Sequence, residues 1–304
     1  QANSPEVTPE LLDSAIETFI KEDRNELMSV GPNLMQNAAF RIMKSWYVFQ
    51  KDLSTKSGVY VCDVHDVHTL EDVKFIENKG KKVLVFVAHQ DDETIGCGGT
   101  ITKWSSQGAE VHVCFMTDGA TGYEQGSGLQ NDITSVRMRE ATYACHLLGV
   151  KNITTLGLPC QQIDNNKQTF HKVIQKIRQI RPNVVITHSN ICKHRDHRIT
   201  SAIVEESCWK STENILEDLG KPHTVDLVLQ CEILDPFENP DFIVDITNEY
   251  ITKCEAMAVY TSQRGVIPGI EQYLNGISLV RGYSSGPNRR AEAFKRLGKL
   301  PYKL

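Results

Sequence analysis

Residues 83–100, VLVFVAHQDDETIGCGGT, decide how this chain folds. The first six are an unbroken apolar, largely β-branched run, the mark of a strand buried on both faces of a parallel sheet. A histidine, a glutamine and three consecutive acids follow at once, then a glycine-rich turn into a helix that lasts to about Gln107-Gly108. The same alternation repeats outward. VHVCFMT (111–117) reads as the next strand, a loop carrying Gly119, Gly122, Gly126 and Gly128 follows, and a helix from about Thr134 to Leu148 ends at Gly149. ITTLGL (153–158) is a strand; Phe170, Val173, Ile174, Ile177 and Ile180 mark one helical stripe that Arg181-Pro182 stops. NVVITH (183–188) is a further buried strand, with a helix starting near Arg198. Strands alternating with helices of this length make right-handed βαβ units. The expected fold is α/β: a Rossmann-like parallel sheet sandwiched by helices.

The first eighty residues read differently. Thr8-Pro9 is a helix start, and Leu11, Leu12, Ala15, Ile16, Phe19 and Ile20 recur at helical spacing. A second stretch with helical character runs from about Leu34 to Phe49, and a short edge strand lies near Val59 to Val64. The expected division is a mostly helical N-terminal extension or cap at 1–80 and the α/β domain at 81–304.

Composition narrows the class. Of 304 residues 40% are apolar, enough for a sizeable core, and no apolar run approaches the roughly 20 residues that span a bilayer. The 33 basic and 38 acidic residues give a net charge of −5, which argues against a nucleic-acid partner. Arg281, Arg289, Arg290, Lys295, Arg296, Lys299 and Lys303 face one acid, Glu292, and read as a solvated helix face and tail. Nine cysteines without a CxxC pair, several inside apolar runs such as Cys114 and Cys145, read as reduced core thiols and favour the cytoplasm. The chain starts at Gln1 rather than Met, which leaves export open, and nothing here indicates an oligomeric state.

In open parallel sheets ligands bind at the carboxyl ends of strands. Three polar clusters sit at such ends: His89 to Glu93, Thr117-Asp118-Gly119, and His188 with His194-Arg195-Asp196-His197. Adjacent carboxylates beside a histidine are costly unless solvated, paired or bound to a cation. Two imidazoles and one carboxylate, with a position left for water, are the catalytic pattern for zinc.

AHQDDETIGCGGTI (88–101) resembles the AHPDDE…GGT signature of the LmbE/PIG-L family of zinc-dependent N-deacetylases, and HRDHR (194–198) resembles that family's HPDH. TDG (117–119), VRMREA…LG (136–149), RPNVVITH (181–188), K…A…YTSQ (253–263) and RAEAF (290–294) extend the likeness from about residue 81 to the C-terminus. Gln90 and Arg195 stand where the family usually has proline. The resemblance implies one zinc ion per chain held by His89, Asp92 and His197, and Asp91 as general base. It makes His194 the acid and oxyanion stabiliser, oriented by Asp196. Arg137, Asp118 and Tyr123 would meet the substrate, an N-acetylated amino sugar or glycoconjugate whose amide is attacked by a zinc-bound water. Specificity would lie in the 119–132 loop and around Tyr260 to Arg290. The chemistry coheres, because an amide needs a Lewis acid, an activated water and a proton donor for the leaving amine.

Blander roles stand beside these. Arg137 is equally placed to pair with Glu140, Asp118 to satisfy turn amides, and His188 to back the site from a strand end. His65 and His68 read as surface residues. Gly96, Gly98 and Gly99 lack the GxGxxG order and suit close helix–strand packing. Two other functions compete: a non-haem iron oxygenase using His89, Asp91 and His197 as an H-x-D…H triad, and a non-catalytic sugar-binding domain with a structural metal. The first usually has a double-stranded β-helix, and the second needs a fourth protein ligand.

Overall fold

Thr8 starts the first helix as its sequence predicts: its Oγ1 accepts the Leu11 N–H at 3.3 Å, ahead of α1 (Pro9–Lys21). The computed structural model describes residues 4–50 and 54–297, in two units that divide between Glu77 and Asn78. In the first unit β1 (Glu26–Val30), β2 (Gln36–Met43) and β3 (Ser57–Val61) form a sheet ordered β2-β1-β3, and α2 (Leu70–Asn78) closes the segment. The unit is therefore not mostly helical. The stretch from Leu34, expected as a helix, holds β2, paired antiparallel with β1 so that Leu27 faces Ile42 and Met28 faces Arg41. Phe40, Arg41 and Ile42 alternate with period two, and Gly31-Pro32-Asn33 makes the turn, closed by Gly31 N–H to the Met35 carbonyl at 2.9 Å. His65 and His68 belong to the start of α2: His65 Nε2 lies 2.8 Å from Asp72 Oδ1, and Asp72 Oδ2 accepts the N–H groups of His68 and Thr69.

The second unit alternates as its apolar runs predict. Its elements are β4 (Lys82–Val87), α3 (Asp92–Ser106), β5 (Glu110–Thr117), α4 (Ile133–Leu147), β6 (Asn152–Leu158), α5 (Lys167–Ile180), β7 (Val184–His188) and α6 (Arg195–Lys210). Then come β8 (Leu227–Cys231), β9 (Phe242–Asp245), α7 (Tyr250–Val259), α8 (Ile270–Gly282) and β10 (Ala291–Leu297). The sheet order is β6-β5-β4-β7-β8-β10-β9, parallel from β6 to β8, with β10 running against both its neighbours. The sheet is thus mostly rather than wholly parallel. Along β4, Val83, Val85 and Val87 enter one core while Leu84 and Phe86 enter the other, which is why the run is apolar without a break. Each such buried side chain stabilises the fold by about 1.5–3 kcal/mol.

Helix α3 is kinked at Cys97 (φ −149°, ψ 20°), and buried groups from distant elements take up the freed backbone. Glu292 accepts the N–H groups of Gly99 and Thr100 at 2.9 and 2.8 Å, and Lys253 Nζ reaches the Ile95 carbonyl at 2.9 Å and Glu292 at 2.6 Å. A Cβ on Gly96 would stand 2.7 Å from Cys231 Sγ, so only glycine lets the helix lie this close to β8. The basic C-terminal cluster is built into the fold rather than left as a solvated tail. Arg281 pairs with Glu232, Arg289 with Asp245, and Arg290 lies 3.7 Å over the Tyr250 ring; Lys299 and Lys303 are outside the described residues. Among the described residues no helix is long and apolar enough to cross a membrane. All nine cysteines are unpaired, eight of them buried.

Candidate metal centre

The strand order reverses between β4 and β7, and the loops leaving those two strands carry the polar clusters. There the fold brings His89, Asp92 and His197 together. His89 Nδ1, His197 Nε2 and Asp92 Oδ2 form a triangle with all three sides 3.3 Å. A tetrahedral ion with bonds of about 2.0–2.1 Å needs its donor atoms about 3.3 Å apart, so the triangle has the dimensions of three zinc ligands. The charge pattern agrees. Burial opposes charge on these imidazoles, yet Asp92 pushes His197 up to about 9, and Asp196 and Asp92 raise His89. Burial also opposes ionisation of Asp92, but the His197 and His188 rings hold it well below the usual carboxylate range. The carboxylates thus favour positive charge on the groups between them.

His188, whose Nε2 is 3.4 Å from Asp92 Oδ2, forms a second trio with Asp92 and His197, and His194 forms another with His89 and His197. The lone pair of His188 Nε2 is already used, accepting the Ala88 N–H at 2.7 Å, and the ring stacks on His197 at 4.0 Å and 8°. It backs the site. His89 is turned by Asp196: His89 Nε2–H donates to Asp196 Oδ2 at 3.1 Å, and Gln161 N–H donates to the same oxygen at 2.8 Å. That proton leaves the Nδ1 lone pair for the centre. The expected pairing of the Asp196 carboxylate with His194 is therefore replaced by one with His89. What reaches His194 is the Asp196 backbone N–H, 3.2 Å from its Nδ1, because His194 is the N-cap of α6. With Nδ1 accepting, the half-buried ring carries its proton on Nε2.

Asp91 sits at the break between β4 and α3 with φ +124°, a strained backbone for a residue with a side chain. Its carboxylate lies 3.2 Å from Arg137, whose guanidinium also donates to the Gln90 carbonyl. Burial raises the Asp91 carboxyl to about 7, against the pull of that cation. Neither role expected for Arg137 describes this contact. Glu140, its supposed partner, instead accepts Ser262 N–H at 2.9 Å and the hydroxyls of Ser262 and Thr261. Glu93 is buried beneath the site and accepts Tyr260 O–H at 2.5 Å and Asp91 N–H at 3.1 Å. Apart from the bond between Glu93 and Asp91, each of these contacts joins residues from separate elements, which spacing along the chain does not reveal. Asp118 accepts turn amides, from Ala120 at 3.0 Å and Cys160 at 3.4 Å, and Tyr123 is half-buried in the β5–α4 loop. The two departures from proline are accommodated: Gln90 Nε2 donates to the Thr117 carbonyl at 3.1 Å, and Arg195 is exposed at the first position of α6.

Residues 84–208 match the family described as PIG-L, GlcNAc-PI de-N-acetylase. The chain is similar to the diacetylchitobiose deacetylase of Thermococcus kodakarensis, 28% identical over 229 residues that cover 72% of this chain and 84% of that protein. Among solved structures it is similar to the N,N′-diacetylchitobiose deacetylase of Pyrococcus horikoshii in complex with an inhibitor. There the TM-score is 0.65 and the identity 25%, covering 78% of this chain and 98% of that one. It is also similar to GalB, the 4-carboxy-2-hydroxymuconate hydratase of Pseudomonas putida KT2440, with TM-score 0.66 and 21% identity over 74% of this chain and 99% of that one. That second likeness shows the fold alone, so the chemistry has to be argued from the site.

Proposed function

We propose that this chain, which carries a PIG-L/LmbE family domain, is a metal-dependent hydrolase that removes the N-acetyl group of an amino sugar or amino-sugar conjugate. One zinc ion per chain is held by His89, Asp92 and His197. The observation that carries the reading is the 3.3 Å donor triangle beside a buried carboxylate raised to about 7. A zinc ion at that position supplies a Lewis acid for the amide carbonyl and lowers the pKa of a coordinated water towards about 7.

The rest is done by the chain's own side chains. Asp91 takes the proton from the attacking water and delivers it toward the leaving nitrogen, and a carboxylate near neutral pKa serves both steps. Arg137, 3.2 Å away, keeps Asp91 turned inward and favours its ionised form. His194 donates Nε2–H to the oxygen that gains charge. Asp196 holds His89 in the tautomer that presents Nδ1. The sugar meets the 119–132 loop and the segment after Tyr260; Gln263 Nε2 joins the two by donating to the Gly122 carbonyl at 2.8 Å.

A two-histidine, one-carboxylate set also suits iron, but the mostly parallel sheet is not a double-stranded β-helix. A purely structural metal gives no reason for the buried, raised Asp91. The test is metal analysis with acetate release from N-acetylglucosamine and its glycosides. About one zinc per chain, activity abolished by chelation and restored by Zn²⁺ or Co²⁺, and metal lost in His89→Ala are expected. Full activity of the metal-free protein overturns the proposal.

A further inference from the structure

His197 turns Nε2 to the donor triangle, so its other nitrogen must be held from the protein side. It faces a thiol: Cys192 Sγ lies 3.2 Å from His197 Nδ1, with both residues nearly inaccessible to solvent. Beside the thiol, on the loop after β8, is the Asp235 carboxylate. Asp235 is anchored independently, accepting the Lys193 N–H at 2.7 Å with the Lys193 ammonium 3.4 Å away. An imidazole that offers a lone pair at Nε2 carries its proton on Nδ1, which gives the chain of bonds one direction. Nδ1–H donates to Sγ, which leaves Sγ–H free to turn toward Asp235.

We infer that Cys192 is a positioning residue for His197, the middle member of a His197–Cys192–Asp235 relay that aims Nε2 at the metal. The inference rests on the metal reading above. Stacking on His188 at 4.0 Å stops the His197 ring from turning about its Cβ–Cγ bond, but a stacked ring can still slide across its neighbour's face. The thiol removes that freedom. The two ligand histidines are thus supported unequally: His89 touches its carboxylate directly, whereas His197 reaches one through sulfur, a weak acceptor.

The experiment is zinc affinity of the full chain, measured by competition with a chelator. It compares the native protein with Cys192→Ala, Cys192→Ser, Asp235→Ala and the Cys192→Ala/Asp235→Ala double variant. Losing the support of a metal-bound histidine weakens binding by about 10- to 100-fold, the loss expected for Cys192→Ala. Cys192→Ser keeps a hydroxyl in the relay and should recover most of that affinity. Asp235→Ala should weaken binding in the native background yet add little to Cys192→Ala, because the relay is already broken. The visible absorption of the Co²⁺ form should shift in Cys192→Ala. A native chain that takes up no zinc overturns the metal reading and this inference with it. A native chain that binds zinc beside a Cys192→Ala chain that binds it equally tightly overturns this inference alone. Should Cys192→Ala not fold, Asp235→Ala decides, and unchanged affinity there is the overturning result.

Discussion

His89 Nε2 lies 3.1 Å from Asp196 Oδ2, a contact between the loop after β4 and the first turn of α6. The acid of the HRDH segment thus supports a histidine a hundred residues earlier rather than its neighbour His194. A carboxylate on the far nitrogen of a ligand histidine sets its tautomer and orientation. This contact separates the duties of two residues that stand two apart in sequence.

Asp196→Ala should therefore behave as a metal-binding variant, losing about 10- to 100-fold in zinc affinity. His194→Ala should keep its zinc and lose turnover instead. Zinc stoichiometry and kcat measured on both proteins check this; retained metal with lost turnover in Asp196→Ala would return that residue to orienting His194.

Asp91 and Asp92 are adjacent, yet they face different partners, Arg137 for the first and the imidazoles for the second. Asp91→Asn should keep its metal while turnover falls by about 10²- to 10⁴-fold, the usual loss of a general base. Asp92→Asn should lose metal affinity and regain part of its activity in excess zinc. Similar, small effects in both would mean that the two acids only solvate a turn.

Arg137 predicts the direction of a pH shift. Burial raises the Asp91 carboxyl and the guanidinium pulls it back down, and the balance stands at about 7. A base works only when ionised, so activity rises with pH through its pKa, and a bound dication moves that limb lower still. Arg137→Met should move the acidic limb of kcat/KM to higher pH, and Asp91→Asn should abolish it. If Arg137 served only the substrate, KM would rise and the limb would stay in place.

Arg178 makes a prediction remote from the site. It is buried on α5 and donates to five backbone carbonyls, those of Ser211, Glu213, Ile215, Leu216 and Gly220, at 2.7–3.3 Å. Hydrogen bonds to charged groups contribute about 1.5–3 kcal/mol each at most, and water replaces some of those lost. Arg178→Met should cost about 3 kcal/mol in unfolding free energy by denaturant titration while zinc affinity holds. A loss below 1 kcal/mol would mean the 211–220 loop keeps its shape without the guanidinium.

Local pattern alone determined a good deal of this protein. The unbroken apolar run at 83–88 and the largely apolar ones at 111–117 and 183–188 specify strands buried on both faces, because alternate side chains of each enter different cores. Parallel strands expose their carboxyl ends, so the acids and histidines just after those runs had to converge on one edge. Only the tertiary structure decided the rest. Whether the residues after Leu34 coil or extend turns on pairing with β1, since their apolar positions satisfy either period over a short window. The antiparallel edge formed by β10 depends on strands that meet only after the chain has closed. Asp196 on His89, Arg137 on Asp91 and Cys192 on His197 rest on hydrogen-bonding geometry, two of them between residues far apart in the chain. Periodicity encodes which side chains are buried; it carries no information about which buried polar group each will face. That choice is made when desolvated groups must find partners within about 3 Å, and it is made in three dimensions.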